Sequence, residues 1–151
     1  MNALKNVLIN KIYSYSDKHK VSFLVISIGI IYLWFGVLKI IPGLSPAENL
    51  AGKTLSMLVF NTVNEQVLVA VLAIIEVFIG ICLMLRLKFK IIKYVVFAHI
   101  LGTLLPLFIF PDISFNKPPF GFSIIGQYIM KNLVIISGLL IIFSNNNKLK
   151  Y

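Results

Sequence analysis

The feature that most constrains the fold is an apolar run at residues 67–85, VLVAVLAIIEVFIGICLML, which contains one carboxylic acid, Glu76. A helix of this length rises about 28 Å at ~1.5 Å per residue, which is enough to cross the hydrocarbon core of a bilayer. Glu76 then lies near the bilayer centre, where an ionisable side chain costs roughly 2.5 kcal/mol or more on insertion scales. A carboxyl group at this depth must face protein or water, so another part of the chain has to supply its partner.

The composition fits a chain whose solvent is lipid. Of the 151 residues, 59% are hydrophobic and 13% are charged, and the mean hydropathy is +0.95. A soluble domain of this size could not bury so much apolar surface, and the length suits one membrane domain. The charge of +9 flanks the apolar runs and forms no basic face interleaved with aromatics, so nucleic acid is not a predicted partner. The single cysteine, Cys82, excludes an intrachain disulfide.

Further apolar runs predict three more membrane spans. We therefore expect an all-α membrane protein whose domain at residues 21–143 is an antiparallel four-helix transmembrane bundle. Residues 1–20 are basic with apolar residues at helical spacing, which is typical of an amphipathic helix on the membrane surface or of a frayed tail. Residues 144–151 form a polar, basic tail. The predicted spans are residues 21–41, 67–85, 91–110 and 123–143.

An additional helix is predicted on the outer face of the membrane, between the first and second spans. Ser45, Pro46 and Glu48 fit a capping box, with serine as the N-cap, proline at the first helical position and glutamate at the third. The helix should run over residues 46–60, which is too short to span a bilayer.

The distribution of basic residues predicts the orientation. If the N-terminus is inside, the outer loops hold only Lys53 and Lys117, and all the other bases fall in cytoplasmic segments or in the spans. This positive-inside bias predicts that both termini are cytoplasmic. The bases on the cytoplasmic side are Lys5, Lys11, Lys18, Lys20, Arg86, Lys88, Lys90, Lys93, Lys148 and Lys150.

Several polar residues inside the predicted spans form a candidate ligand-binding cluster. Glu76 and Lys131 lie at nearly the same depth, about 13 Å and about 12 Å from the outer ends of their helices, which predicts that they can form an ion pair. Lys39 is shallower and can reach either toward this group or out toward Glu48. Gln127 and Tyr128 precede Lys131 on the same helix face. The predicted intramembrane cluster consists of Glu76, Lys131, Lys39, Gln127, Tyr128, Asn132 and His99.

Two interpretations of this cluster stay open. Glu76 and Lys131 either form a structural pair that fixes helix register, or they line a polar cavity for a small ligand, a quinone headgroup or a proton path. His99 fits a hydrogen-bonding role better than a haem or metal ligand, because no second histidine lies in a span. No metal site is predicted, and no motif identifies catalytic residues.

Short motifs in this sequence resemble those of the DoxX family of four-helix membrane proteins. YLWFGVLK at residues 32–39 resembles the F-x-G-x-x-K end of that family's first helix, and EVFIG at residues 76–80 is similar to its second-helix E-x-x-x-G element. PGLSPAE at residues 42–48 and PPFGF at residues 118–122 are similar to a bacterial subgroup. The resemblance extends over all four spans.

The resemblance implies a multi-pass protein of the bacterial inner membrane. It implies an accessory subunit of a quinone-linked or partner-coupled oxidoreductase system, with a membrane or periplasmic oxidoreductase as partner and a quinone as the cofactor. Glu76, Lys131 and Lys39 are then expected to line the site. A small-solute or proton transporter and a structural membrane partner without catalysis remain the alternatives, and no oligomeric state is predicted.

Overall fold

The computed structural model describes residues 2–87 and 90–144, and within them the chain is mostly helical. The predicted basic tail beyond Ser144 lies outside the described residues. The elements are α1 (Asn2–Ile40), α2 (Glu48–Leu58), α3 (Glu65–Met84), α4 (Lys90–Gly102), α5 (Pro106–Ile109), α6 (Pro111–Ser114), β1 (Phe115–Lys117), β2 (Gly121–Phe122), α7 (Ile124–Met130) and α8 (Asn132–Ser144).

Four helical stretches are long and apolar enough to cross a membrane, as the sequence predicts for a multi-pass all-α membrane protein. The third consists of α4 and α5, which are separated by turns just before Pro106, where proline lacks the N–H of a regular helix. The fourth consists of α7 and α8, which meet at Lys131. The four stretches are Ile9–Ile40, Glu65–Met84, Lys90–Ile109 and Ile124–Ser144.

The first helix is longer than the sequence pattern predicted. A surface helix or a frayed tail was expected at residues 1–20, whereas α1 continues without a break through 39 residues. Nothing stops the helix near residue 20, because no proline or glycine occurs between Asn2 and Ser27. At ~1.5 Å per residue, α1 is about 58 Å long and exceeds the ~30 Å hydrocarbon core of a bilayer.

The segment between α1 and α2 corrects the predicted capping box. The helix begins at Glu48 rather than Pro46, Ala47 is its N-cap, and the buried hydroxyl of Ser45 has no hydrogen-bond partner. The Glu48 carboxylate instead accepts a hydrogen bond from the backbone N–H of Gly43 at 2.8 Å. Gly43 has a φ of 79°, a left-handed conformation that glycine adopts without strain, so the chain turns there before α2 can start.

A short antiparallel ribbon, β1–β2, interrupts the helical pattern of the chain. Phe115 pairs with Phe122, and their rings stack with centroids 4.8 Å apart. These two strands were not predicted, because the sequence analysis assigned the chain to the all-α class. Helix α2 contacts α5, α5 contacts α6, and α6 contacts the ribbon. These elements therefore all lie at the end of the molecule where α1 ends. We call this the α2 end, and the opposite end, which joins α3 to α4, the Arg86 end.

One apolar core joins α1, α3, α4 and α8. Buried side chains from all four helices meet in this core. Most of the core lies nearer to the Arg86 end than the polar residues of the spans do. The fully or nearly fully buried members are Val25, Ile28, Tyr32, Ile79, Cys82, Leu83, Ile92, Val96, Ile100, Leu139 and Ile142.

The contact between α1 and α3 is the most extensive one between helices, and glycines allow it to be close. The carbonyl oxygen of Gly80 would lie 3.1 Å from a Cβ built on Gly29, and the Cβ of Glu76 lies 3.0 Å from one built on Gly36. Since the later residue of α1 faces the earlier residue of α3, the two helices run antiparallel. Small residues at such a contact let helix backbones approach without side chains between them.

Candidate functional site

Four polar side chains from α1, α3 and α4 form one hydrogen-bonded cluster, which we call the Glu76 cluster: Tyr32, Lys39, Glu76 and His99. The ammonium of Lys39 donates to Oε2 of Glu76 at 2.6 Å, and Nε2 of His99 lies 3.1 Å from Oε1 of the same carboxylate. Nδ1 of His99 lies 3.2 Å from the hydroxyl of Tyr32. Glu76 is therefore bonded at both oxygens and connects α1 with α4.

The Glu76 cluster is shielded from its surroundings. The side chains of Lys39, Glu76 and His99 are only 8%, 6% and 8% exposed, and Tyr32 is 4% exposed. Burying two opposite charges costs several kcal/mol per ion, which an isolated ion would not recover. Close pairing and hydrogen bonds at both carboxylate oxygens offset this cost, so each member depends on the others.

The position of Lys39 in α1 explains how it reaches Glu76. It lies in the last turn of the helix, and the Cα–Cβ bonds of a helix tilt toward its N-terminus, so the lysine stem leans back along α1. Gly36, one turn earlier, brings the α1 backbone against Glu76. Nζ of Lys39 also lies 5.9 Å from the centroid of the Phe35 ring, a weak cation–π contact.

The hydrogen bonds of Glu76 fix the tautomer of His99. A carboxylate paired with lysine has only acceptors, so Nε2 of His99 must carry the proton that bonds to it. A neutral imidazole then has an unprotonated Nδ1, which accepts the hydroxyl proton of Tyr32.

This assignment gives a spectroscopic prediction. In protein with ¹⁵N-labelled histidine, neutral His99 should show a protonated Nε2 and a hydrogen-bonded, unprotonated Nδ1. The chain has two histidines, so a His19→Gln variant isolates the signals. Tyr32→Phe should shift the Nδ1 resonance toward that of a nitrogen without a donor and leave Nε2 protonated. A protonated Nδ1 in the wild type would contradict the assignment.

The cluster extends along the helix axis and ends in the apolar core. Tyr32 and Lys39 lie on the same face of α1, about 10 Å apart along the helix at ~1.5 Å per residue. Lys39 is at the α2 end of the cluster, and Tyr32 is the member nearest the Arg86 end. Ile28 and Val25 follow on α1, and both are buried in the apolar core. The hydrogen-bonded chain thus runs from the α2 end to Tyr32 and meets apolar side chains there.

The predicted ion pair between Glu76 and Lys131 is wrong. Glu76 binds Lys39 and His99, and Nζ of Lys131 lies instead 4.5 Å from the centroid of the Tyr128 ring. The count of residues gave a depth for each side chain but no rotation about the helix axis. Ile129 is buried, and two residues rotate the helix by about 200°, so Lys131 is on the opposite, exposed side.

The remaining predicted site residues are divided between two places. Gln127 and Tyr128 are exposed beside Lys131 and do not join the Glu76 cluster. Asn132 is directed inward: its Nδ2 donates to Oγ1 of Thr103 at 2.8 Å, which links α8 to the turn that follows α4. Thr103 is one turn from His99 toward the α2 end, so Asn132 is a neighbour of the cluster and not a member.

Tyr32 belongs to the cluster, although the sequence analysis did not predict it as a site residue. Its signal in the sequence was its spacing from Lys39, about two helical turns, which puts both on one face of α1. Among residues 2–87 and 90–144, no group of three or more His, Cys, Asp or Glu side chains is arranged to hold a metal ion.

Comparisons with known proteins give no match: no family model, no curated protein and no solved structure matches the chain. The resemblance to the DoxX family therefore remains a prediction, based on the motifs themselves.

Proposed function

We propose that this protein is a DoxX-like multi-pass protein of the bacterial inner membrane that serves as an accessory subunit of a quinone-linked or partner-coupled oxidoreductase system. The observation that carries the proposal is the meeting of the two motif residues Lys39 and Glu76 in a buried ion pair, at 2.6 Å, which continues to His99 and Tyr32. Ionisable groups within a membrane span are costly and mark functional sites by default.

The chemistry of the Glu76 cluster suits a quinone headgroup. Quinone carbonyl oxygens accept hydrogen bonds. The donors of the cluster, on Lys39, His99 and Tyr32, bond to Glu76 and His99 in this structure, so a bound quinone would take over one or more of these hydrogen bonds. Reduction to a quinol adds two electrons and two protons; the partner oxidoreductase would supply the electrons, and the cluster would deliver protons to the carbonyl oxygens. The ammonium of Lys39 lies over the ring of Phe35, which is 37% exposed and so connects the cluster with the outer surface of the helices.

The proposal is tested by quinone retention. After extraction in a mild detergent, the wild-type protein should carry close to one quinone per chain. Tyr32→Phe should reduce retention by about three- to tenfold, the equivalent of one net hydrogen bond of roughly 1 kcal/mol. The matched control is Tyr128→Phe, since Tyr128 is exposed and away from the cluster. No retained quinone, together with no binding of an added short-chain quinone, would contradict the proposal, as would equal losses in both variants.

A proton or small-solute transporter is the second candidate, and the continuity of the cluster favours it. Tyr32, His99 and Glu76 are joined by hydrogen bonds along which a proton can move. The apolar side chains beyond Tyr32 would have to open for a complete path. Substrate-dependent proton flux in proteoliposomes, abolished in His99→Gln, would support this function.

A structural partner protein without catalysis is the third candidate. It is favoured by the completeness of the hydrogen bonding, since no buried side-chain atom of the Glu76 cluster lacks a partner. The double variant Glu76→Gln with Lys39→Met separates the candidates. A stable double variant that keeps full activity in the cell would support the structural role, and a stable but inactive one would support a functional cluster.

For the architecture, we propose an antiparallel four-helix transmembrane bundle with α2 on the outer face and both termini in the cytoplasm. The antiparallel contact of α1 with α3, the common core and the packing of α2 on α3 support it. Reporter fusions should read external after Lys117 and cytoplasmic after Lys150. A periplasmic reading after Lys150 would contradict the four-span topology.

The outer position of α2 gives a labelling prediction. Lys53 is exposed on α2, so Lys53→Cys should react with a membrane-impermeant thiol reagent added to spheroplasts. The native thiol is a suitable background because Cys82 is 1% exposed. The wild-type protein should remain unlabelled under the same conditions. Protection of Lys53→Cys until the membrane is permeabilised would contradict an outer α2.

A further inference from the structure

We propose that an exposed stripe on α7 and α8 is the docking surface for a transmembrane helix of a different membrane protein, and that this helix carries a carboxylate. We call it the Lys131 stripe; its members are Ile124, Gln127, Tyr128, Lys131 and Val134.

The Lys131 stripe has the spacing of a single helix face. Ile124 is followed at three and four residues by Gln127 and Tyr128, which both lie three or four residues before Lys131, and Val134 is three residues further on; these are the separations of neighbours on a helix surface. All of them are exposed: Ile124 is 73%, Tyr128 is 45% and Val134 is 75% exposed, and Gln127 and Lys131 are also in the exposed class. The stripe therefore runs along a candidate span without being covered by any other element among residues 2–87 and 90–144.

The middle of the stripe is polar although it lies within a candidate membrane span. Lys131 is about 11 Å from Ile124 along the Ile124–Ser144 stretch, at ~1.5 Å per residue. A lysine facing lipid at such a depth costs roughly 2.5–3.5 kcal/mol on insertion scales. The Tyr128 ring supplies a cation–π contact at 4.5 Å but no charge. Among the described residues, no carboxylate forms a salt bridge with Lys131.

Charge complementarity indicates what covers the stripe. A carboxylate on a neighbouring helix would pair with Lys131, and Gln127 one turn away would bond to a polar group beside it. A neighbouring transmembrane helix can supply both the carboxylate and the polar group, whereas lipid tails can supply neither.

A second copy of this chain cannot supply that carboxylate, so the partner is a different protein. The chain has five acidic residues. Only Glu76 lies deep in a span, and it is buried in its own cluster. Glu65 begins α3 and Asp112 lies in the first turn of α6, both at the α2 end. Glu48 begins α2, and Asp17 pairs with Lys20 far along α1 toward the Arg86 end. None of them is at the depth of Lys131.

This inference concerns a different face of the molecule from the Glu76 cluster. It rests on the proposed function only in that an accessory subunit has a partner, and it does not require a bound quinone. Its test measures helix association, whereas the test of the proposed function measures quinone retention. One proposal can therefore fail while the other holds.

The first measurement uses model helices as the probe. The protein, labelled with a fluorescent donor at Lys53→Cys, is reconstituted in phosphatidylcholine vesicles with acceptor-labelled Leu-Ala transmembrane peptides that carry either one central Glu or one central Leu. Energy transfer should be greater for the Glu peptide. The association with the Glu peptide should weaken by about three- to tenfold in Lys131→Met, which is within the range of polar contacts between membrane helices. The association should persist in Lys131→Arg. Lys117→Met, outside the stripe, is the matched control.

The second measurement is made in native membranes. A photo-crosslinking residue at Val134 should yield an adduct whose partner peptide contains Asp or Glu within an apolar span, and the adduct should be lost in Lys131→Met. The same residue at Ile74, which is 65% exposed on α3, should not give that adduct. The proposal requires both results. Equal energy transfer to the Glu and Leu peptides would overturn it. So would an adduct that still forms in Lys131→Met, or adducts formed only with lipid or with a second copy of this chain.

Discussion

Glu76→Gln is expected to lower the free energy of unfolding by about 3–5 kcal/mol, the usual cost of removing one partner from a buried ion pair. The amide keeps the size of the side chain and can still bond His99, but it leaves the buried ammonium of Lys39 without a counter-charge. Lys39→Met should be comparably destabilising, because it leaves the carboxylate with His99 alone. Thermal unfolding in detergent and accumulation in the membrane measure both effects.

The double variant of Glu76→Gln with Lys39→Met should recover much of this loss, because neither charge is then buried alone. Such recovery is the signature of direct coupling in a double-mutant cycle. Lys131→Met is the control: Lys131 is exposed, and the salt-bridge partners of Glu76 among the described residues are Lys39 and His99, so the effect of Lys131→Met should add to that of Glu76→Gln without coupling. Strict additivity for Glu76 and Lys39, with coupling for Lys131 instead, would contradict the observed pairing.

Gly80→Ala is expected to be the second strongly destabilising change, at or above the upper end of the roughly 1–3 kcal/mol typical of overpacking. A Cβ on Gly80 would lie 2.6 Å from the backbone nitrogen of Leu33 and 2.9 Å from the carbonyl oxygen of Gly29. Both are backbone atoms, so a side-chain rotation cannot relieve the clash and α1 must move away from α3. The same movement would lengthen the Lys39–Glu76 contact.

Gly102→Ala is the matched control for this prediction. Gly102 ends α4, and a Cβ built on it meets nothing within 4 Å. Alanine is favoured over glycine in helices by roughly 0.5–1 kcal/mol, so this variant should be neutral or slightly more stable. If Gly80→Ala and Gly102→Ala have the same midpoint of thermal unfolding, the prediction that Gly80 is needed for the close contact of α1 with α3 is contradicted.

The two strongest predictions concern one structural unit. Gly36 and Gly80 let α1 and α3 approach, and the ion pair of Lys39 with Glu76 lies between these glycines and the α2 end. The F-x-G-x-x-K and E-x-x-x-G motifs can therefore be understood as a helix contact and the charge pair that it positions. Their spacing along the chain follows from this geometry.

The sequence by itself determined the membrane-spanning stretches. Hydropathy and length are local properties, and the bilayer sets the length that a span must have, so the predicted residues 67–85 nearly coincide with the observed Glu65–Met84. The sequence also required a partner for Glu76, since an unpaired carboxylate is costly in lipid. The continuity of α1 was missed because the basic composition of residues 1–20 predicted a surface location and said nothing about where the helix ends.

Only the tertiary structure decided which residue became the partner of Glu76. Counting residues gives depth, but each residue also rotates the helix by ~100°, and packing decides which face is turned inward. Burial of Ile129 turned Lys131 outward, whereas Gly36 and Gly80 brought α1 against α3 and Lys39 onto Glu76. Lys39 was predicted as a member of the cluster and not as the partner of Glu76, because a residue count ignores the lean of its side chain toward the N-terminus of α1. The need for a partner is thus encoded locally, and its identity depends on how four helices rotate and approach one another.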